Sequence, residues 1–248
     1  VKISVITVSF NNEQTIADTI QSIKEQDHRN IEYIIIDGAS QDTTLQVIDS
    51  FGPVVSHVVS EPDRGIYDAM NKGIGIASGD AIGFLNADDM YYDSKVLSDV
   101  DLLFKRTNSD VVYGDIEFVD PVHTNRVKRK WRAGEYKPGS FVRGWMPPHP
   151  AFFAKKSIFL KYGSFRLDLG SSADYELMLR FLHVNKVPAV YLSRMCVKMR
   201  LGGASNANLG NRLLANSNDK KSWVVNGIRP KWYTTILKPL RKISQFFV

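Results

Sequence analysis

Three polar clusters in this 248-residue sequence carry residue types from which a nucleotide and metal site can be assembled. Asn86-Ala87-Asp88-Asp89 sets two carboxylates side by side directly after the apolar run Ile82-Gly83-Phe84-Leu85. Their repulsion is relieved by a hard divalent cation with oxygen ligands, Mg²⁺ or Mn²⁺, which also binds phosphate oxygens and acts as a Lewis acid on a departing diphosphate. Asp37, in Asp37-Gly38-Ala39-Ser40, directly follows apolar residues. A carboxylate at such a sheet edge needs a donor, and the ring N–H of a pyrimidine such as uracil is one it can distinguish. Thr7, Ser9, Asn11 and Asn12 form the third cluster. The competing account of each is a solvated turn that caps the next helix, which is the better one for Asn12 and Asp42.

These clusters need elements to position them, and periodicity supplies the elements. Residues 2–9, 31–37, 54–60 and 80–85 read as strands, the second so apolar that both its faces must be covered. Between them run helices through Ile16, Ile20 and Ile23, through Leu45, Ile48 and Phe51, and over residues 66–77. This β-α-β-α-β-α-β order implies an α/β, Rossmann-like, doubly wound parallel sheet that gathers ligands at the carboxyl ends of its strands. Beyond residue 89 the spacing predicts a helix over 95–105 and a strand over 110–119 that pairs with the basic stretch 126–132. A helix over 174–184 follows, with strands over 187–192 and 195–201. No repeat or linker divides the chain, so residues 1–219 are read as one catalytic domain, with a nucleotide-binding half (1–90) and an acceptor-binding half (91–219).

Composition excludes several classes. A hydrophobic share of 44% and a charged share of 23% are those of a globular protein, and one cysteine, Cys196, permits neither an intramolecular disulfide nor a multi-cysteine zinc site. No apolar run has the length of a signal peptide core or a membrane span. Seven of the 32 Lys and Arg residues follow Asp219 with no Asp or Glu among them, so the last 29 residues carry +7 and the rest −1. Trp223, Trp232, Tyr233, Leu237 and Leu240 interleave with these cations. The segment 220–248 therefore reads as a basic amphipathic tail for an anionic membrane surface, or as a helix docked on the domain. The body offers no basic surplus for nucleic acid.

Val5-Ile6-Thr7-Val8-Ser9-Phe10-Asn11, Ile36-Asp37-Gly38-Ala39-Ser40-Gln41-Asp42 and Leu85-Asn86-Ala87-Asp88-Asp89 together resemble glycosyltransferase family 2, of the GT-A fold. Residues 60–74, Ser60-Glu61-Pro62-Asp63-Arg64-Gly65-Ile66-Tyr67-Asp68-Ala69-Met70-Asn71-Lys72-Gly73-Ile74, are similar to bacterial members that build O-antigen and colanic-acid-type polysaccharides. The resemblance implies a metal-dependent, inverting hexosyltransferase that uses a UDP-sugar donor. It places the uridine at Thr7, Phe10, Asp37 and Arg64, and the ribose and metal at Asp88 and Asp89, with Asn86 in the same loop. Met70 stands where many members have Arg, which moves phosphate contacts to Arg64 or Lys72. In Ser171-Ser172-Ala173-Asp174-Tyr175-Glu176 the acid opening a helix, Asp174, would take the acceptor's proton; Glu176 is the alternative, and an ordinary helix cap is the competing account.

His149, in Met146-Pro147-Pro148-His149-Pro150, is implied as a neighbour of the diphosphate or acceptor, and Arg200 with Gly202-Gly203-Ala204-Ser205 as a segment that closes over phosphates or turns the chain. The implied acceptor is a lipid-pyrophosphate-linked glycan at the cytoplasmic face of a bacterial inner membrane, and a homodimer remains open. Rival classes are a nucleotidyltransferase acting on sugar phosphates, which wants a glycine-rich or basic loop after the first strand, and a non-catalytic glycan-binding protein, which would lack the acids. A dehydrogenase needs a glycine fingerprint directly after a strand, and Gly73, Gly75 and Gly79 lie elsewhere.

Overall fold

In the computed structural model, which describes residues 1–202, 209–241 and 245, β1 (Ile3–Ser9) lies between β2 (Ile31–Asp37) and β4 (Ala81–Phe84), and β3 (His57–Ser60) pairs with β2, all in parallel. The unbroken apolar run of β2 is explained by burial on both sides. Ile34 and Ile36 face one layer with Met70 and Ile74 of α3 (Ile66–Ile76). Tyr33 and Ile35 face the other, with Ile16, Ile20 and Ile23 of α1 (Ile16–Lys24) and Ile48 of α2 (Thr44–Ser50).

The remaining strands extend the same nine-stranded sheet in the order β3-β2-β1-β4-β8-β6-β9-β5. Here β8 (Phe152–Lys155) runs antiparallel to β4 and to β6 (Val111–Val119), β9 (Ala189–Arg200) is parallel to β6, and β5 (Met90–Tyr91) is an antiparallel edge. The basic β7 (Val127–Trp131) forms the expected hairpin with β6. The helix α4 (Val96–Arg106) covers one face; α5 (Lys156–Tyr162), α6 (Ala173–Met178) and Trp223 of α7 (Leu209–Val224) cover the other. The short α8 (Thr234–Arg241) follows.

Four departures have local causes. The third strand starts at His57 because Pro53 shapes a tight turn over Gly52–Val54, and proline has no N–H for a ladder. The two strands expected over 187–201 are one strand in which Ser193 and Arg194 bulge out, since Gly114 pairs with Leu192 and Asp115 with Met195. The helix expected over 174–184 widens after Met178, and the Asn185 amide reaches back five residues to the Arg180 carbonyl. The insertion of β8 between β4 and β6 is set by long-range pairing that periodicity does not encode. No helix among the described residues is long and apolar enough to cross a membrane.

Candidate active site

Parallel pairing brings Ser9, Asp37 and Ser60 level at one rim of the sheet, and β4, alongside β1, delivers Asn86 to the same end. The buried carboxylate of Asp37 accepts from the Ser40 amide (2.8 Å), the Ser60 hydroxyl (2.7 Å) and the Ser40 hydroxyl. A carboxylate has about four acceptor directions, so one remains for a ligand N–H. Phe10 stands 60% exposed beside it. A β-carbon on Gly38 would lie 3.4 Å from the Phe10 ring and 2.7 Å from an Asp63 carboxylate oxygen, so only a glycine lets these two side chains close in, with much of the Phe10 ring left as an exposed aromatic face. Such a face stacks a base. Thr7 is different: its side chain is enclosed and accepts the Tyr33 hydroxyl at 3.1 Å, inside the core.

In the acidic loop the two carboxylates have separate positions. Asp89 is fully enclosed, one oxygen accepting the Arg200 amide and the other the Asn86 side-chain amide, each at 3.2 Å. Asp88 is only partly covered. Burial raises the carboxyl groups of both, Asp89 the further because Asp88 adjoins it. Neighbouring carboxylates disfavoured in their charged form suit a divalent cation. Among the described residues no three His, Cys, Asp or Glu gather, so an ion here has at most this pair, completed by water and diphosphate, as Mg²⁺ and Mn²⁺ permit. Arg200 is already engaged. Its guanidinium donates to the carbonyls of Asp88 (2.9 Å) and Pro121 (3.2 Å) and pairs with Asp18, which straps the end of β9 to the acidic loop.

On the other side of α3 lies Asp174. The outer surface of this helix and the loop before it hold Arg64, ion-paired with Asp68 at 2.9 Å, and Lys72, bonded to Glu61 (2.8 Å) and the Pro62 carbonyl (2.9 Å). The inner surface holds Tyr67, whose hydroxyl is pushed well above its ordinary range by burial and by the adjacent Asp174 carboxylate. His149 is 8% exposed, stacked on Phe84 (5.4 Å) and edge-on to Phe165 (5.5 Å), and Tyr67 packs on Phe165 at 5.2 Å. Burial depresses the imidazole's proton affinity, against the pull of Asp174, and its Nε2 has no hydrogen-bond partner among the described residues.

Asp174 sits in the first turn of α6. The capping position belongs to Ser172, and the Asp174 carboxylate accepts the Tyr175 amide at 2.7 Å and the buried Tyr67 hydroxyl. Glu176, 1% exposed, is taken up by Arg180 (2.9 and 3.0 Å) and Asn226 (2.9 Å). Of the two acids, Asp174 is the less enclosed, and among the described residues only Glu176 is held in an ion pair.

A profile described as Glycosyl transferase family 2 matches residues 4–164. The chain belongs to glycosyltransferase family 2. An uncharacterized glycosyltransferase of Mycobacterium tuberculosis (strain CDC 1551 / Oshkosh) is 35% identical over 187 residues, which are 72% of this chain and 68% of that one. Staphylococcus aureus TarS 1–349, solved with UDP-GlcNAc, superposes with a TM-score of 0.67 at 18% identity, covering 88% of this chain and 66% of that fragment, just under two thirds of its length. The mannosyltransferase PcManGT from Pyrobaculum calidifontis, solved with GDP-Man and Mn²⁺, gives 0.66 at 18% identity and covers 95% and 68%. The fold is GT-A.

Within this family 2 chain, Tyr67, Asn71, Phe84 and Phe165 also line the surroundings of Asp174 and His149, outside the acidic and glycine-containing motifs. Tyr67 recurs with Met70 and Ile74 at i, i+3 and i+7, and a phenol on that apolar face was the available signal. Asn71 locks the Phe165 backbone through two hydrogen bonds of 2.9 Å. Met70, at the position that departs from many family members, fills the core. Gly203, Ala204 and Ser205 lie outside the described residues. In the tail, the Trp223 indole is buried and donates to the Tyr175 hydroxyl (2.9 Å), whereas Trp232 is 81% exposed.

Proposed function

We propose that the chain transfers a sugar from a UDP-sugar to a hydroxyl of an acceptor glycan, with inversion, and that Asp174 removes the hydroxyl proton. The observation that carries this reading is the meeting of Phe10, Asp37 and the acidic loop at one rim, with α3 leading from that rim to Asp174. The uracil ring lies on Phe10 with its N–H toward Asp37, and the diphosphate extends toward Asp88. Asp88 would hold the divalent ion, while Asp89 fixes the loop from inside. When bound, the ion supplies positive charge to the leaving diphosphate.

Arg64 and Lys72 lie on the outer side of the same helix and are the cations available to phosphate oxygens. His149 Nε2, buried and unpartnered among the described residues, meets a hydroxyl of donor or acceptor. Aromatic rings around His149 keep water from the reacting centre. As the acceptor oxygen bonds to the anomeric carbon, the bond from that carbon to the diphosphate oxygen breaks, and the proton passes to Asp174. One displacement suffices.

The TarS and PcManGT complexes support a nucleotide-sugar donor, and the second supports a divalent ion. The proposed acceptor is a lipid-pyrophosphate-linked glycan of a bacterial surface polysaccharide. The proposed catalytic unit is residues 1–219, with the basic segment 220–248 keeping it at the cytoplasmic face of the membrane. The test is UDP release from a panel of UDP-sugars with and without Mn²⁺, alongside UDP and GDP titrations of wild type and Asp88→Asn. Metal-stimulated release that Asp88→Asn abolishes is expected. Equal release by both proteins, or tighter binding of GDP than of UDP, overturns the corresponding assignment.

A further inference from the structure

Two acids lie two residues apart on β6, and only one of them is satisfied. The Asp115 carboxylate, 4% exposed, accepts the Ala133 amide and the Tyr191 hydroxyl, each at 2.8 Å. Glu117 is buried to the same degree, yet among the described residues its carboxylate accepts no hydrogen bond and has no cation within ion-pairing distance. The charges that act on it are those of Lys198 and Lys130, which offset part of the cost of burial without closing on it. Buried polar groups are normally bonded, so a carboxylate left open in this way asks for an occupant.

Strand register puts Glu117 at the ligand rim. Ala154 of β8 pairs with Ile82 on one side and Val111 on the other, and β4 and β6 both run antiparallel to β8, so the two end at the same rim. There β4 stops at Phe84, two residues past that level, whereas Glu117 stands six residues past it. Along β6, Val112, Ile116 and Phe118 face the layer of α1 and α4. Tyr113 faces the layer that contains α3 and α6, and strand alternation turns Glu117 to that same side. Across the strands the pairs Met90–Lys198, Lys198–Glu117 and Glu117–Lys130 form one row over β5, β9, β6 and β7. Both lysines are half-buried, and the Lys198 ammonium lies 5.2 Å over the Tyr92 ring. Two positions after Lys198, the Arg200 amide holds Asp89, so the row borders the acidic loop.

A carboxylate that accepts two hydroxyls, flanked by ammonium groups that donate to further oxygens, is the chemistry that recognises a polyol ring. We propose that Glu117, with Lys130 and Lys198 beside it, binds hydroxyl groups of a sugar ring seated at this rim. The choice of a sugar rests on the transferase reading above, and such a ring has two sources, the donor's sugar and the acceptor's. A row of charges that only ties the strands together has a different signature, because its loss is felt in stability.

The test uses the full chain with Mg²⁺ present, as wild type, Glu117→Gln and Glu117→Asp. The first variant keeps the shape and removes the charge. The second keeps a charge between the lysines and shortens its reach, so the proposal stays testable if either variant fails to fold. UDP, UDP-glucose, UDP-galactose and UDP-N-acetylglucosamine are titrated by calorimetry, and the methyl glycosides of the same sugars by saturation-transfer NMR with UDP present. Loss of one charged hydrogen-bonding group is expected to weaken binding about tenfold. Weakened binding of a UDP-sugar, with UDP affinity unchanged, supports the subsite with the donor's sugar as its occupant. Weakened binding of a glycoside supports it with the acceptor's sugar. In either case the Tm of Glu117→Gln stays at or above that of wild type, because a buried charge is removed and no hydrogen bond among the described residues is lost. Wild-type affinity of the variants for every probe, with a lowered Tm marking a tie between strands, overturns the proposal, and so does a wild type that binds no glycoside and binds UDP-sugars no differently from UDP. Failure of UDP itself to bind the wild type counts against the donor reading, and the glycoside titration still decides the role of Glu117.

Discussion

Asp174 and Glu176 stand two residues apart on one helix, and their surroundings give opposite consequences on removal. In Asp174→Asn the remaining side-chain oxygen still accepts the Tyr175 amide, so folding is unaffected while the base is lost. General-base catalysis contributes roughly 10²- to 10⁴-fold, so kcat for UDP release in the presence of acceptor falls by that factor, about 3–5 kcal/mol of barrier, with UDP affinity and Tm unchanged. Glu176→Ala does the reverse. It removes the carboxylate that, among the described residues, pairs with the largely buried Arg180, and leaves Asn226 without that acceptor, although Arg180 keeps the carbonyls of Tyr162, Gly163 and Ser164. Breaking such a buried pair costs about 3–5 kcal/mol, which in a chain of this size lowers Tm by about 10 °C. Calorimetry and steady-state kinetics on the two variants separate the roles. A full-speed Asp174→Asn enzyme, or a Glu176→Ala protein that melts like wild type but is inactive, would refute the assignment of base and strut.

Four further outcomes follow from the geometry. Mn²⁺ at about 100 times its Kd raises folding stability by about 2.7 kcal/mol, read as a Tm gain that chelation reverses and Asp88→Asn lacks. Phe10→Ala weakens UDP binding by about 1–3 kcal/mol in a calorimetric titration with little change in Tm, because the ring is 60% exposed. Burial depresses the proton affinity of His149. As pH falls below about 6.5 the unfolded chain takes up a proton that the folded one refuses, and stability is lost toward the folded value; His149→Phe, keeping a ring against Phe84, flattens the Tm difference between pH 7.5 and 5.5. Gly144→Ala forces a side chain into the left-handed region and against the backbone of α8, costing more than about 2 kcal/mol and opening α8 to limited proteolysis, whereas Gly139→Ala, also at positive φ but meeting only the Arg143 guanidinium at 3.6 Å, costs less.

The sequence carried the nucleotide half well because its signals are local. Ile34, Ile35 and Ile36 can be buried on two faces only inside a parallel sheet, and the polar residues that end each strand must then share a rim. The acceptor half depends on pairings between distant segments. Nothing near Phe152 announces that its strand will enter between β4 and β6, and nothing near Ser193 distinguishes a bulge from a turn. The same limit applies at the site. Asp88 and Asp89 are equivalent in one dimension, and only the fold shows that Asp89 faces inward to the Arg200 amide while Asp88 remains reachable. Arg200 itself reads as a phosphate ligand until its three nitrogens are found bonded to Asp18, Asp88 and Pro121.

The dense motif over residues 60–74 then has a mechanical explanation. Eleven residues of α3 span about 16 Å, and Arg64 and Tyr67 both stand at its N-terminal end, nearest the strand rim. Along that length the two faces do different work: Arg64, Asp68 and Lys72 recur at i, i+4 and i+8 on the outside, while Tyr67 and Asn71 recur at i and i+4 toward Asp174 and Phe165. Met70 and Ile74 anchor the helix in the core between them. In the proposed reading, a donor phosphate drawn to Arg64 would meet the same helical turn that holds Tyr67 beside Asp174.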